Sequence, residues 1–144
     1  MKYLTIIFIL FVSQNIFAES TIYHCKVNDA FKINNNNEYA PAKFENITNE
    51  FSEKFSIEFK DRGTNNINLI IHNSKIFFPR LTVLPRFDRT DTSKKNYETS
   101  LRANTNIIAG GSGSSFKLNL KNLSFKFYEE ALGRDLLLYG KCEK

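Results

Sequence analysis

The chain has 144 residues, 42% of them apolar and 24% charged, with a formal net charge of +5, two cysteines and no tryptophan. That length suits one domain. The composition excludes a disordered chain, a collagen-like repeat and a disulfide-dense miniprotein.

Residues 1–18 have the three-part layout of a secretory signal peptide. Lys2 supplies the positive start, Tyr3 to Val12 is nearly unbroken apolar sequence, and Ala18 suits the position before the cut. The apolar run is about ten residues, too short for the roughly 20 that a bilayer-spanning helix needs. The remainder, 19–144, is expected to be a single exported β-rich domain without a transmembrane segment. Since Lys2 is the one charged residue of the leader, the mature chain carries +4.

Period-two alternation dominates that domain. Tyr23, Cys25 and Val27 share one face of a first strand, and Asn34 to Asn37 favours a turn. Thr48 to Lys54 has the composition for a turn or two of helix. Phe55, Ile57 and Phe59 alternate with polar residues, Asp61 to Asn66 breaks the chain, and Ile67, Leu69 and Ile71 resume the pattern. Pro79 and Pro85 bracket Arg80 to Leu84, which reads as an edge strand or extended loop. Asp88 to Asn96 is wholly polar and reads as a loop, and Gly110 to Ser115 as a flexible hairpin connection.

Phe116, Leu118 and Leu120 then form one face, followed by Phe125 and Phe127, and finally Leu136, Leu138, Gly140 and Cys142. Strands divided by short turns, with no helical crossovers, predict an all-β fold. It is a single antiparallel β-sandwich or small β-barrel with at most one short helix.

An even cysteine count in an exported chain predicts a disulfide, here Cys25 to Cys142. Both lie on the apolar faces of the two terminal strands, so pairing of those strands would bring them together. Tyr23-His24-Cys25 near the mature start, a β-rich body and Cys142 beside the end resemble the layout of small exported bacterial proteins. Periplasmic lysozyme inhibitors, a small β-barrel with a disulfide, are among them. That likeness implies inhibition of a hydrolase as one alternative. The Ser-Gly-x-x-Tyr loop of those inhibitors is absent from the sequence, so no functional residue is carried over.

Groups that carry catalysis are sparse. Gly111-Ser112-Gly113 has neither dinucleotide nor Walker spacing and leads into a strand rather than a helix. His24 and His72 are the only histidines, and both read as surface residues. Glu129 and Glu130 are adjacent, so in a strand they face opposite ways and cannot flank one substrate; they read as part of a solvated turn. Most phenylalanines fall on inward faces, which leaves no evident stacking platform. Asn46-Ile47-Thr48 and Asn122-Leu123-Ser124 match the N-glycosylation acceptor pattern, used only in a eukaryotic secretory pathway.

Lys117 and Lys121 share a polar face, and Lys126 is expected beside them, a candidate anion-binding surface. Outward lysines also protect sheet edges from aggregation. No cofactor, metal or specific nucleic-acid motif is implied. The sequence therefore points to a non-enzymatic exported domain whose partner is an envelope or extracellular protein or an anionic surface. The alternatives are a lipocalin-like carrier of an apolar ligand, a periplasmic hydrolase inhibitor, and a hydrolase with dispersed residues.

Overall fold

The computed structural model describes residues 21–34, 36–43, 52–61, 67–74, 80–84, 93–111, 113–131 and 134–144. The leader expected at 1–18 lies outside them. The elements run β1 (Ile22–Ile33), β2 (Tyr39–Pro41), β3 (Lys54–Asp61), β4 (Ile67–His72), β5 (Arg80–Val83), α1 (Ser93–Ala103), β6 (Asn106–Gly111), β7 (Ser114–Asn119), β8 (Ser124–Ala131) and β9 (Arg134–Glu143).

Eight of the strands form a closed antiparallel barrel in the order β1-β3-β4-β5-β6-β7-β8-β9, with β9 returning to pair with β1. β2 is an extra strand paired to the end of β1. Of the two architectures that the alternation allowed, the barrel is the one adopted.

The inward faces are those the alternation predicts. Tyr23, Cys25, Val27, Phe55, Ile57, Phe59, Ile67, Leu69, Ile71, Phe116, Leu118, Phe125, Phe127, Leu136, Leu138 and Cys142 are all buried. An eight-stranded barrel has an interior that side chains can just fill. Here Phe55 of β3 meets Phe125 of β8 at 5.3 Å and Phe116 of β7 at 6.5 Å, ring centre to ring centre. Phe116 and Phe125 stack at 5.5 Å. Aromatic rings from facing walls therefore touch across the barrel at that level.

Closure depends on β1 changing phase. Val27 pairs with Gly140 and Asp29 with Tyr139, so Asn28 is an extra residue, a β-bulge. Before it the inward residues are 23, 25 and 27; after it Ala30 faces in. A strand without the bulge would carry Asp29 into the core, because the side-chain period is two. Gly140 makes the close approach possible: a Cβ there would collide with the Lys26 carbonyl oxygen and lie 2.6 Å from the Phe125 ring.

The Cys25–Cys142 disulfide joins directly paired residues, with Cα atoms 3.9 Å apart and 117 positions between them in sequence.

Three local readings are corrected. Arg80–Val83 is an interior strand, paired to β4 on one side and β6 on the other. The prolines stand outside it and so leave its hydrogen bonds intact. Among the described residues the helix is α1, starting inside the stretch read as a polar loop; of the turn or two expected over Thr48 to Lys54, residues 48–51 lie outside the described residues, and Lys54 opens β3. The barrel-facing side of α1 escaped notice because two of its buried residues, Asn96 and Ser100, are polar. The Asn96 amide nitrogen donates to the Leu84 carbonyl at 2.8 Å, and the Ser100 carbonyl accepts from Thr105 N at 3.0 Å. Asn104, with φ of 51°, ends the helix in the left-handed region that asparagine tolerates. Lastly, Glu129 does not lie in a solvated turn. It faces inward from β8 at 3% exposure, opposite Ser114 and Leu136, while Glu130 faces out.

α1 packs against β4, β5 and β6 at one barrel end. Tyr97 rests on Phe59 at 5.0 Å, and Phe59 in turn meets Tyr23 at 6.1 Å. Burial pushes the Tyr97 phenol up to about 12; the neighbouring Tyr23 adds to this and a hydrogen bond with Thr21 opposes it.

Two outcomes follow from this packing and closure. Replacing Cys25 and Cys142 together by serine should lower unfolding stability by about 2–5 kcal/mol, read from urea unfolding beside oxidised and reduced wild type. Unchanged midpoints would show that the β1–β9 hydrogen bonds suffice alone. For Tyr97, the folded chain holds its proton above the ordinary value of 10.0. Its contribution should be complete below that pH and disappear as pH rises towards about 12, since the unfolded chain ionises first. Tyr97→Phe should flatten this alkaline loss in unfolding curves; an equal loss in both proteins would assign it elsewhere.

Candidate functional site

The barrel's outer surface over β7, β8, β9, β1 and β3 collects lysines. Their placement follows from the same alternation that builds the core: on each of these strands the residue beside a buried apolar one projects into water. Lys117 of β7 stands directly opposite Lys126 of β8. Lys141 of β9 stands opposite Lys26 of β1, and Lys26 opposite Lys54 of β3. All five are exposed. Five adjacent strands thus contribute one lysine each, forming a band around the wall.

Two grooves lie in this band and meet at the β1 bulge. The larger, about 630 Å³, is lined by His24, Lys26, Asn28, Lys54, Ser56 and Lys141 among others. The second, about 430 Å³, includes Asn106, Lys117, Asn119, Lys126, Tyr139 and Lys141, with Asn28 and Asp29 at its β1 wall. Asn28 and Lys141 line both. The bulge and Gly140 shape this junction: the bulge bends the strand locally, and the bare glycine lets β1 come close.

Like charges directly opposite one another destabilise a sheet, by roughly a few tenths of a kcal/mol per pair. This band contains three such pairs. One partial offset is the ion pair of Lys26 Nζ with Glu53 Oε1 at 3.5 Å, both largely exposed and hence weak. Another is Lys126, whose ammonium sits 5.7 Å from the centre of the Tyr139 ring. Protection of a sheet edge does not account for these lysines, because β7, β8, β9, β1 and β3 are each paired on both sides.

The expected trio is divided. Lys117 and Lys126 are brought together as neighbours, whereas Lys121 lies in the turn between β7 and β8. That turn is built by Asn119, whose Oδ1 accepts from Lys121 N at 2.9 Å and Asn122 N at 3.3 Å. Lys26, Lys54 and Lys141 were missed, although each alternates outward beside a predicted core residue. Their convergence depends on strand order, which the linear pattern does not contain.

Outward aromatic residues were also missed. Phe31 and Tyr139 meet edge to face at 6.0 Å on the outer surface, and the Tyr128 hydroxyl donates to Glu130 at 2.9 Å. Among the described residues all the phenylalanines but Phe31 point inward, while these outward rings give the outer face an apolar border.

The histidines lie on the same side of the barrel and have separate partners. His24 Nδ1 is 2.9 Å from Ser56 Oγ, and His72 Nε2 is 3.0 Å from Glu58 Oε2. Ser56 stands opposite both histidines in register, but its hydroxyl bonds to His24 while the Glu58 carboxylate bonds to His72, so no single imidazole is bonded to both serine and carboxylate as in a serine–histidine–carboxylate relay. Among the described residues, no group of three or more His, Cys, Asp or Glu is placed to hold a metal ion. No helix among them is long and apolar enough to cross a membrane.

Comparison with known proteins finds no matching family model, no matching curated protein and no matching solved structure.

The groove geometry depends on residue 140. Gly140→Ala should cost about 1–3 kcal/mol through overpacking against β1, measured by thermal or urea unfolding. Wild-type stability in this variant would mean that β1 and β9 separate without loss.

Proposed function

We propose that this protein is an exported, non-enzymatic β-barrel that binds an anionic macromolecular partner in the cell envelope or outside the cell. The observation that carries this reading is the lysine band. Three like-charged cross-strand pairs are kept on paired interior strands, where edge protection gives them no purpose and where they weaken the sheet. An anionic partner would convert that repulsion into attraction and release the counterions held over the face.

Export is supported by the leader pattern and by the disulfide, which suits an oxidising setting. The non-enzymatic part is supported by the exposed setting of His24 and His72 on the outer sheet surface, with different hydrogen-bond partners, Ser56 and Glu58, for the two rings. The carrier alternative is disfavoured by the phenylalanine rings that meet across the barrel interior.

Wild-type protein should be retained on a sulfonated or heparin-like resin at low salt and released as salt rises. Changing Lys26, Lys117, Lys126 and Lys141 together to glutamine should remove most of that retention. Changing Lys43 and Lys60, exposed residues outside the grooves, should leave most of it. Equal elution of the two variants would reduce the band to ordinary surface charge.

A further inference from the structure

We infer that the anionic partner is an acidic polysaccharide, a chain of sugar rings bearing carboxylates, lying across the strands along the two neighbouring grooves. This rests on the anionic-partner reading above and names the ligand class for the same face.

The first ground is the shape of the charge distribution. The five lysines fall on five consecutive strands, so the band follows the curved wall half way round the barrel, four inter-strand steps of about 4.8 Å, with a two-residue offset between Lys126 and Lys141. A linear polyanion running across the strands meets one ammonium per strand. The grooves are neighbours with Asn28 and Lys141 common to both linings, and two adjoining grooves suit a chain rather than a compact ion.

The second ground is what stands between the lysines. Asp29, Asn28, Asn106 and Ser124 all line the second groove, and each offers an oxygen acceptor. Asp29 is exposed and lies opposite Tyr139, whose ring has Lys126 on one side. Asn28, Asn106 and Ser124 can donate as well as accept and so suit either backbone; the discrimination falls on Asp29, an acceptor only, whose carboxylate repels a phosphodiester. A uronic-acid chain presents carboxylates to the lysines and donating ring hydroxyls to the acceptors, so that Asp29 becomes a hydrogen-bond partner instead of a penalty. Hydrogen bonds to a charged acceptor are the stronger kind. Tyr139 and Phe31 supply an apolar border on which the C–H face of a sugar ring can rest.

The test compares binding of the full mature protein to polygalacturonate, single-stranded DNA, polyglutamate and phosphatidylglycerol vesicles, each over a salt series. Polygalacturonate should bind in a salt-sensitive manner and more tightly than the other three. Asp29→Ala should weaken polygalacturonate by at least about tenfold, the scale of one lost charged hydrogen bond, and should strengthen binding of single-stranded DNA. Asp29→Asn keeps an acceptor oxygen and should remain within about threefold of wild type for polygalacturonate, well short of the loss in the alanine variant. If Asp29→Ala leaves polygalacturonate unchanged or strengthens it, or if DNA, polyglutamate or vesicles bind more tightly, the polysaccharide assignment is overturned while the anionic-partner reading stands. If none of the four binds, both fall.

Discussion

The contact on which the rest of this molecule depends is the ladder between β1 and β9, the first and last strands of the barrel. Seven successive antiparallel pairings build a curved sheet, but only the eighth, between strands at opposite ends of the described chain, removes the open edges. Three features concentrate at that seam. The Cys25–Cys142 bond joins paired residues, Gly140 permits close approach of the β1 backbone, and the Asn28 bulge switches the phase of β1. Each addresses a different part of the problem: chain entropy, steric room and side-chain parity. Without the phase switch, Asp29 would be carried into an interior of phenylalanine and leucine, at the cost of burying a carboxylate.

The seam also shapes the outer surface. The bulged residue shared by both grooves is Asn28, and the same strand carries Lys26 and Asp29. The device that lets the barrel close therefore makes the concavity in which cations and acceptors are displayed together. Core and surface are coupled here by backbone geometry rather than by any side chain passing between them. The weak coupling of exposed charges to stability explains how the lysine band is tolerated: repulsion between solvated ammonium groups is screened, while the apolar burial beneath it is not.

The interior and the two ends divide the remaining roles. Phenylalanines fill the middle of the barrel, α1 covers one end through Tyr97, and Glu129 with Ser114 lies near the other. The helix illustrates a general difficulty for reading sequence. A helix lying on an already closed apolar wall needs few large side chains of its own, so buried Asn96 and Ser100 suffice when their local groups are hydrogen-bonded. An amphipathic stripe is the signal normally sought, and here there was little to find.

Most strands, their inward faces and the cysteine pairing were legible because burial imposes a period of two that each strand records for itself. Tyr23, Phe55, Leu69, Phe116 and Leu138 announce their orientation without reference to any distant residue. The bulge also left a trace, since Asp29 breaks the odd-numbered apolar series at the position where the phase changes. Arg80–Val83 was misjudged because prolines beside a strand were taken as though they lay within it. Strand order is different in kind. Lys26, Lys54, Lys117, Lys126 and Lys141 are spread over more than a hundred residues, and each by itself is an ordinary outward lysine. Local sequence determined which way each side chain points, because that depends on neighbours one and two residues away. Tertiary structure alone decided that five of them form one band round half of the barrel, because that depends on closing the sheet.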